Sequence, residues 1–476
     1  MSTYYVENFG CRATQADGAA LERQFEERGL SRASTSSRAE VVVLNTCTVT
    51  AAADRDARAA IRRLQRLNPD ARIVVTGCYA QRAPEEVGAL PGVDLVIGNS
   101  HKHQLAEIAL QDGPPARTHV GFIPLETLAG GSQPEAGSRT FVSDIFAHTE
   151  LLAAPIFDAA NERTRPNLKV QDGCDNRCSF CVIPYVRGQS RSLPLPEIIR
   201  AVNALVAAGY REVVVSGINL GRWGRDFEFQ LPEFGRQKPE VMSSKLRFEG
   251  LVGAILTETQ LEKLRISSVE PMDWSDELIA LVAESPRIAK HAHVPMQSGS
   301  DAVLRRMHRM YRPWHYREKI AKIRAAMPTA AIGADVMVGF PGETDAEFEA
   351  TRRMVEELPF TYLHVFTYSP RPGTPATTLQ TQVPMHLARE RNRILRELAE
   401  EKKQAFMRSF VGKTVEAITL ASGVGGNSEA LTDNYLKLYL DEQCEPNRWV
   451  RARVEEAVDG ALTGAVQVSA IAPSPS

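Results

Sequence analysis

The segment Gly173-Cys174-Asp175-Asn176-Arg177-Cys178-Ser179-Phe180-Cys181 places three cysteines within a window of eight residues. It follows the apolar run Leu168–Val170, which is typical of a buried strand. Three thiolates at the end of a strand can surround one small inorganic centre. A four-iron cube held by three cysteines keeps one iron open for a substrate, whereas a zinc ion needs a fourth ligand from elsewhere in the chain. The spacing alone leaves both metals open.

Six apolar runs, most of them separated by helical patterns, extend from just before this segment towards the C-terminus. The alternation predicts an α/β core built as a partial (β/α)6 barrel, whose functional groups lie at the C-terminal ends of the strands. Residues 221–262 have no clear period, and we predict an insertion there. The runs are Leu168–Val170, Glu212–Val215, Leu264–Ile266, His291–Val294, Ala334–Val338 and Leu363–Phe366.

The first 110 residues also alternate strand-like runs with helical segments, which predicts a separate α/β unit with a mostly parallel sheet. Three further cysteines, Cys11, Cys47 and Cys78, each follow one of these runs directly. Because the C-terminal ends of parallel strands share one edge of a sheet, we expect the three thiols to meet and to hold a second cluster. The alternative is that they are three buried, small, apolar side chains.

The remaining chain predicts a linker and a small terminal domain. Residues 113–160 contain Gly/Pro/Ser-rich stretches, which are typical of a linker or a loop. Beyond a charged helix at Leu387–Lys403, short alternating runs such as Tyr435–Leu440 predict a small antiparallel β-barrel. We therefore expect a cluster domain over 1–112, a linker over 113–160, a core over 161–396 and a barrel over 397–472.

Composition excludes several classes of protein. The 476 residues are 43% hydrophobic and 24% charged, which excludes wholesale disorder, and the net charge of −2 excludes a global field that would attract nucleic acid. No run of 18 apolar residues and no secretory signal is visible, so we expect a cytoplasmic protein with no membrane partner. Seven cysteines, an odd number, argue against a disulfide framework.

The cysteine-rich segment resembles the signature of the radical S-adenosylmethionine enzymes, CxxxCxxC with an aromatic residue, here Phe180, before the last cysteine. The resemblance implies that Cys174, Cys178 and Cys181 hold a [4Fe–4S] cluster whose open iron binds S-adenosyl-L-methionine. It also implies that Phe180 lies beside the adenine of that cofactor. Other residues at strand ends are candidates for binding the same cofactor, with plain turns as the alternative: Ser216, Gly217, Gln297, Ser298, Gly339 and Glu343.

Taken with the first three cysteines, nearly the whole chain resembles the methylthiotransferases within that superfamily. This implies a second [4Fe–4S] cluster on Cys11, Cys47 and Cys78 and a tRNA-binding TRAM domain as the terminal barrel. The motifs that carry the resemblance are Gly10-Cys11, Asn45–Thr50, Gly77–Gln81, Ile183-Pro184-Tyr185 with Arg187-Gly188, Ser216–Asn219, Ile266–Pro271, Pro295–Ser300 and Gly339–Thr344. The departures are the 221–262 segment and Val186, where an alanine is more usual.

Three motifs, Asn45–Thr50, Gln171–Asn176 and Thr432–Tyr435, look most like the branch that acts on threonylcarbamoyladenosine at position 37 of tRNA. Other branches act on isopentenyladenosine in tRNA or on an aspartate of a ribosomal protein. The resemblance implies that one S-adenosylmethionine methylates a sulfur at the second cluster. Another is cleaved to a radical that removes hydrogen from C2 of the adenine. A low-potential electron donor and a sulfur donor are implied partners.

A dense basic stretch is the sequence's candidate for RNA contact. Arg305, Arg306, Arg309 and Arg312 are interleaved with methionine and aromatic side chains, and arginine suits phosphate through its planar donor fork. The alternative is a solvated helix face. A competing hypothesis for the whole chain is a non-enzymatic RNA-binding protein that a metal stabilises.

Overall fold

The computed structural model describes residues 2–111, 138–148, 164–229, 247–424, 427–458 and 460–467. The chain forms two compact units. The first comprises residues 1–154, 173–176 and 181–189, and the second comprises 155–172, 177–180 and 190–476. The segment with the three clustered cysteines is thus divided between the units. Among the described helices, none has both the length and the apolar content needed to cross a bilayer.

The first unit is a six-stranded sheet, order β2-β1-β3-β4-β5-β6, in which every pair is parallel. All six residues of the central strand Val41–Thr46 are buried, as expected for a parallel sheet covered on both faces. The strands are β1 Thr3–Asn8, β2 Ser31–Arg32, β3 Val41–Thr46, β4 Arg72–Gly77, β5 Leu95–Ile97 and β6 Arg139–Phe141. The helices are α1 Arg12–Glu26, α2 Ala51–Leu67, α3 Cys78–Arg82, α4 Pro84–Gly88, α5 Leu105–Leu110 and α6 Ile183–Arg187.

The segment 113–160, predicted as a linker, is described only over residues 138–148, and its remainder lies outside the described residues. Within it, β6 pairs in parallel with β5, so this short stretch belongs to the sheet of the first unit. This strand is only three residues long and contains one apolar residue, Phe141, so the sequence has no strand pattern there. It forms by pairing with β5, which lies some forty residues earlier.

The second unit contains the predicted α/β core. Its sheets, β10-β9-β7-β8 and β11-β12-β13, are joined by the isolated parallel bridges Leu264–Ile288 and Ser268–His293. The strands are β7 Asn167–Asp172, β8 Arg191–Ser192, β9 Glu212–Gly217, β10 Lys263–Ile266, β11 His291–His293, β12 Ala331–Val338 and β13 Tyr362–Thr367. The helices are α7 Leu195–Ala207, α8 Phe248–Glu258, α9 Asp276–Glu284, α10 Asp301–Arg306, α11 Pro313–Ala326, α12 Asp345–Glu357 and α13 Met385–Arg408.

This series confirms the partial barrel of six parallel strands, with β8 added as an antiparallel edge. The segment 221–262, predicted as an insertion without a clear period, does have a periodic part at its C-terminal end, where α8 forms. The buried side chains of α8 recur at helical spacing and are Phe248, Leu251, Val252 and Ile255. This apolar pattern is short, and the polar residues around it obscured it in the sequence. Residues 230–246 of that segment lie outside the described residues.

The C-terminal part of the second unit is a closed barrel of five strands, order β14-β15-β16-β18-β17. The prediction of a small β-barrel is confirmed, with the correction that β16 and β18 pair in parallel while the other four pairs are antiparallel. The strands are β14 Thr414–Val424, β15 Asn427–Thr432, β16 Lys437–Leu440, β17 Trp449–Val458 and β18 Ala461–Val466.

The turn that follows β15 holds this barrel against the core of the same unit. The guanidinium of Arg265, on β10, donates to the carbonyl oxygens of Thr432 and Asp433 at 3.3 and 3.2 Å and to Glu212 Oε1 at 2.6 Å. Its charge also lies 5.3 Å from the centre of the Tyr435 ring. The motif Thr432–Tyr435 therefore has a structural part in anchoring the barrel.

Candidate metal centres

Cys11, Cys47 and Cys78 follow three adjacent parallel strands of the first unit. Cys11 is the residue before α1, Cys47 comes directly after β3, and Cys78 opens α3 at the end of β4. Because β1, β3 and β4 are neighbours, their C-terminal ends lie along one edge of the sheet. Cys47 and Cys78 are buried and Cys11 is exposed.

Two observations indicate that these thiols are close together. Burial, then the neighbouring thiols of Cys78 and Cys11, raise the pKa of Cys47 to about 12. A Cβ built on Gly10 would lie 2.4 Å from Cys47 Cβ and 2.8 Å from its Sγ, so the loop that carries Cys11 rests directly on Cys47. The Cys47 thiol is therefore a poor anion on its own, and a multivalent cation relieves that penalty by taking it as a thiolate. The donor set fits an iron–sulfur cluster.

The Gly10 contact gives a first testable prediction. A Gly10→Ala variant is expected to lose the cluster of Cys11, Cys47 and Cys78, so that iron falls from about eight to about four per chain. Its Cβ would overlap Cys47, and its φ of +98° disfavours any residue with a Cβ. The matched control is Gly29→Ala, which has a φ of +81° but no atom within 4 Å of the added Cβ. Iron analysis after anaerobic reconstitution measures both, and equal iron contents would contradict the prediction.

A buried group of charges lies in the same unit and was missed by the sequence analysis. Asp17 Oδ2 accepts from Lys102 Nζ and from Arg187 Nη2, both at 3.0 Å, and Lys102 Nζ also donates to Asn45 Oδ1 at 3.0 Å. The three charged side chains are 2–4% exposed, so the group carries one excess positive charge out of water. The signal in the sequence was Asp17 itself, the one charged residue among the buried residues of α1.

This excess charge acts on the thiols. Burial lowers the pKa of Lys102, while Asp17 and the Cys78 thiol both favour its charged form. Arg187 in turn favours the thiolate of Cys47. Asp17, Lys102 and Arg187 therefore form an electropositive support for an anionic centre at Cys47 and Cys78.

The second cysteine triad is divided between the units. Cys174 and Cys181 belong to the first, where Cys174 N donates to Gly188 O at 3.1 Å. Gly173, with a φ of +71°, lies so close to the backbone that a Cβ there would be 1.8 Å from Gln189 O. This crowding explains the glycine directly before the first cysteine of the motif.

Cys178 belongs to the second unit and has an arginine beside it. Arg309 Nη1 donates to Cys178 Sγ at 3.2 Å, Nη2 forms an ion pair with Glu270, and the guanidinium lies 4.9 Å from the centre of the Tyr311 ring. Arg309 is 6% exposed. A charge-assisted hydrogen bond to a thiolate stabilises its negative charge, so Arg309 can act on any centre that Cys178 holds.

The four arginines predicted to bind RNA do not form a shared basic surface. Arg309 is buried beside Cys178, and Arg306 makes a bidentate ion pair with Glu347 at 2.9 and 3.0 Å. Arg312 Nη1 donates to the carbonyl oxygens of Arg309 and Tyr311, so part of its guanidinium already binds the protein backbone. Arg305 is the one of the four with more than half of its side chain exposed. RNA contact at Arg305 stays a prediction.

The candidate residues for S-adenosylmethionine occupy strand ends and loops of the second unit. Ser216 is the penultimate residue of β9, and its buried Oγ has no hydrogen-bond partner among the described residues. Gly217 ends the strand and is crowded by Gln171. An unpaired buried hydroxyl is what a ligand contact would satisfy. Phe180 meets Phe340 edge-on, with ring centres 6.3 Å apart.

The other candidates for binding S-adenosylmethionine differ in how many of their polar groups already form hydrogen bonds within the protein. Gln297 has a φ of +62°, a strained conformation that clusters at functional sites. The Ser298 hydroxyl is within 3.1 Å of Thr351 Oγ1, and Glu343 Oε2 accepts from Gly339 N and Arg391 at 2.7 Å each. Ser298, Gly339 and Glu343 thus stabilise loops, and their contact with a cofactor stays a prediction.

Comparisons with known proteins agree with this architecture. The model described as uncharacterized protein family UPF0004 matches residues 3–98, and that of the radical SAM superfamily matches residues 168–355. The threonylcarbamoyladenosine tRNA methylthiotransferase MtaB of Aquifex aeolicus is 35% identical over 94% of this chain and 99% of its own length. The Bacillus subtilis protein of the same name is also 35% identical, over 92% of this chain and 90% of its own.

A second group of relatives carries another substrate in its name. The tRNA-2-methylthio-N(6)-dimethylallyladenosine synthase of Novosphingobium aromaticivorans is 33% identical over 88% of this chain and 87% of its own length. Among solved structures, the radical S-adenosylmethionine methyltransferase TsrM from Kitasatospora setae, with cobalamin and a [4Fe–4S] cluster bound, shares the fold. Its TM-score is 0.52 at 15% identity, over 79% of this chain and 77% of that one. This chain therefore belongs to the methylthiotransferase family of the radical S-adenosylmethionine enzymes.

Proposed function

We propose that this protein attaches a methylthio group to C2 of N6-threonylcarbamoyladenosine at position 37 of tRNA. The observation that carries the proposal is the convergence of Cys11, Cys47 and Cys78 at one sheet edge in a chain that also has the radical SAM motif. A radical enzyme with a second site for a cluster has a place to hold the sulfur that is transferred. The relatives named for threonylcarbamoyladenosine support this substrate.

The cofactors of the family are [4Fe–4S] clusters and S-adenosyl-L-methionine, which together supply a radical able to act on an unreactive C–H bond. The C2–H of adenine needs such chemistry because side-chain bases working near neutral pH cannot deprotonate it. In our proposal Cys11, Cys47 and Cys78 hold one cluster and Cys174, Cys178 and Cys181 hold the other. The protein's own part is to bind and orient these groups and to exclude water from them.

The remaining assignments belong to the same proposal. We assign the binding of the cluster of Cys11, Cys47 and Cys78 to residues 1–112. We assign the radical chemistry to residues 161–396 and RNA contact to the barrel at 397–472. A low-potential electron donor and a sulfur donor complete the reaction, and the cytoplasm is its expected location. A splayed adenosine in a single-stranded loop is the form in which RNA bases are usually recognised, which suits position 37.

Mass spectrometry of tRNA nucleosides tests the substrate. We expect a deletion strain to lose the methylthio form of threonylcarbamoyladenosine and to regain it when the chain is supplied from a plasmid. A plasmid with Cys47→Ala is the matched control and should not restore it. Loss of the methylthio form of isopentenyladenosine instead, or loss of neither, would overturn the assignment.

Anaerobic biochemistry tests the class of protein independently of its substrate. We expect about eight irons per chain and release of 5′-deoxyadenosine from S-adenosylmethionine under strong reductant. The non-enzymatic, metal-stabilised RNA-binding protein predicts zinc or redox-silent iron and no such product. Absence of 5′-deoxyadenosine from iron-replete protein would favour that alternative.

A further inference from the structure

Two histidines and an aspartate meet on neighbouring strands of the second unit, and none of them is assigned to a cysteine cluster or to the cofactor. His293 ends β11, Asp335 lies on β12 and His364 lies on β13. The parallel register sets His293 beside Gly333 and Asp335 beside His364. Because Gly333 has no side chain, it leaves room for the groups on either side. A Cβ there would lie 2.0 Å from the Tyr362 ring.

The three side chains converge on one point. Asp335 Oδ1 is 3.3 Å from His293 Nε2 and 3.3 Å from His364 Nδ1, and one ligand atom from each residue lies within 4.8 Å of the others. Metal bonds to imidazole nitrogen and carboxylate oxygen are about 2.0–2.2 Å long, so adjacent ligands of one ion lie roughly 3 Å apart. The measured separations match that spacing.

The geometry at His293 suits a ligand of a metal ion. His293 is 8% exposed, and within the described residues its Nε2 has no hydrogen-bond partner. Its other nitrogen, Nδ1, is 2.9 Å from Ser268 Oγ. When Nδ1 donates to that hydroxyl, Nε2 keeps a lone pair that faces Asp335. Such a hydrogen bond to the far nitrogen is the usual way in which a ligating histidine is oriented.

The backbone of Asp335 is fixed and the site has an open side. Gln297 N and Met296 N donate to Asp335 O, which fixes the backbone at this point. The His364 side chain is 56% exposed, so solvent can reach the remaining coordination positions.

We propose that His293, Asp335 and His364 form a site for a single divalent transition-metal ion. Non-haem iron(II) sites use this ligand set, in which two imidazoles and one carboxylate occupy one side of the ion and the opposite positions are open. Manganese(II) accepts the same donors. The open positions would take water or another oxygen ligand. This site is additional to the two cysteine clusters and does not depend on the proposed substrate.

A manganese titration of the cluster-loaded protein tests the site. Mn²⁺ is the probe because it prefers oxygen and nitrogen donors and competes poorly for thiolates. The free Mn²⁺ signal is followed by electron paramagnetic resonance in protein with confirmed iron content. We expect one site per chain in the unchanged protein and at least a tenfold weaker one in Asp335→Asn and in His364→Ala.

The control is His386→Ala, which removes an exposed histidine on α13 and should bind Mn²⁺ as the unchanged protein does. His364 is itself largely exposed, so His364→Ala keeps the test valid if Asp335→Asn folds poorly. Absence of a stoichiometric site in the unchanged protein would overturn the proposal. Equal affinity in the unchanged protein and both site variants would overturn it as well.

Discussion

An Asp17→Asn variant is expected to destabilise the first unit by about 3–5 kcal/mol, the range found when one partner of a buried ion pair is removed. Asp17 is the common acceptor of Lys102 and Arg187, and all three side chains are 2–4% exposed. Asparagine keeps the shape but removes the negative charge that Lys102 and Arg187 share at Asp17. The thiols of Cys47 and Cys78 already interact electrostatically with Arg187 and Lys102, respectively.

Hydrogen exchange of β3, which carries Asn45, and of β4, which ends directly before Cys78, measures this effect better than one melting curve. A chain with two units does not unfold in a single step. Amides of β3 and β4 should exchange faster in Asp17→Asn, whereas Asp70→Asn, at an exposed position, should leave them unchanged. Adding Lys102→Met restores the original excess of one positive charge and should recover part of the protection. A double variant no better protected than Asp17→Asn would show that charge balance is not the cause.

The strands of this protein were predictable because they are parallel and buried on both faces. Each of the six core runs read from the sequence overlaps an observed strand, and the boundaries differ by at most three residues. Continuous Val/Ile/Leu runs between helices need no tertiary information to be recognised. The first cysteine triad followed from the same logic, because position at a strand end fixes position on the sheet edge.

What escaped the sequence depends on partners that folding brings from far away. Arg309 sits in a basic run, but its guanidinium is held by Cys178, which is 131 residues earlier in the chain. Asp17 and Arg187 are 170 residues apart. Local composition is the same whether such a side chain faces solvent or a buried acid. The His293–Asp335–His364 group was missed for the same reason, since its members lie on three strands.

Replacing Arg309 by methionine is expected to lower the reduction potential of the cluster that we assign to Cys174, Cys178 and Cys181. The hydrogen bond from Arg309 Nη1 to Cys178 Sγ stabilises negative charge on the sulfur, and the positive guanidinium favours the reduced state. Methionine keeps an unbranched apolar side chain of similar length but removes the donor and the charge. We expect the equilibrium for reduction to fall at least tenfold, which is 59 mV for a one-electron couple.

A redox titration followed by electron paramagnetic resonance measures that potential directly. Arg305→Met is the matched control, because it removes an exposed guanidinium four residues earlier. Arg309→Met also removes the ion-pair partner of Glu270, and an unpaired carboxylate at this position can destabilise the fold. Arg309→Met with Glu270→Gln removes the unpaired charge, so a potential that stays low in this double variant traces to the lost sulfur contact. Equal potentials in Arg309→Met and Arg305→Met, at equal iron content, would mean that Arg309 serves only to pair Glu270.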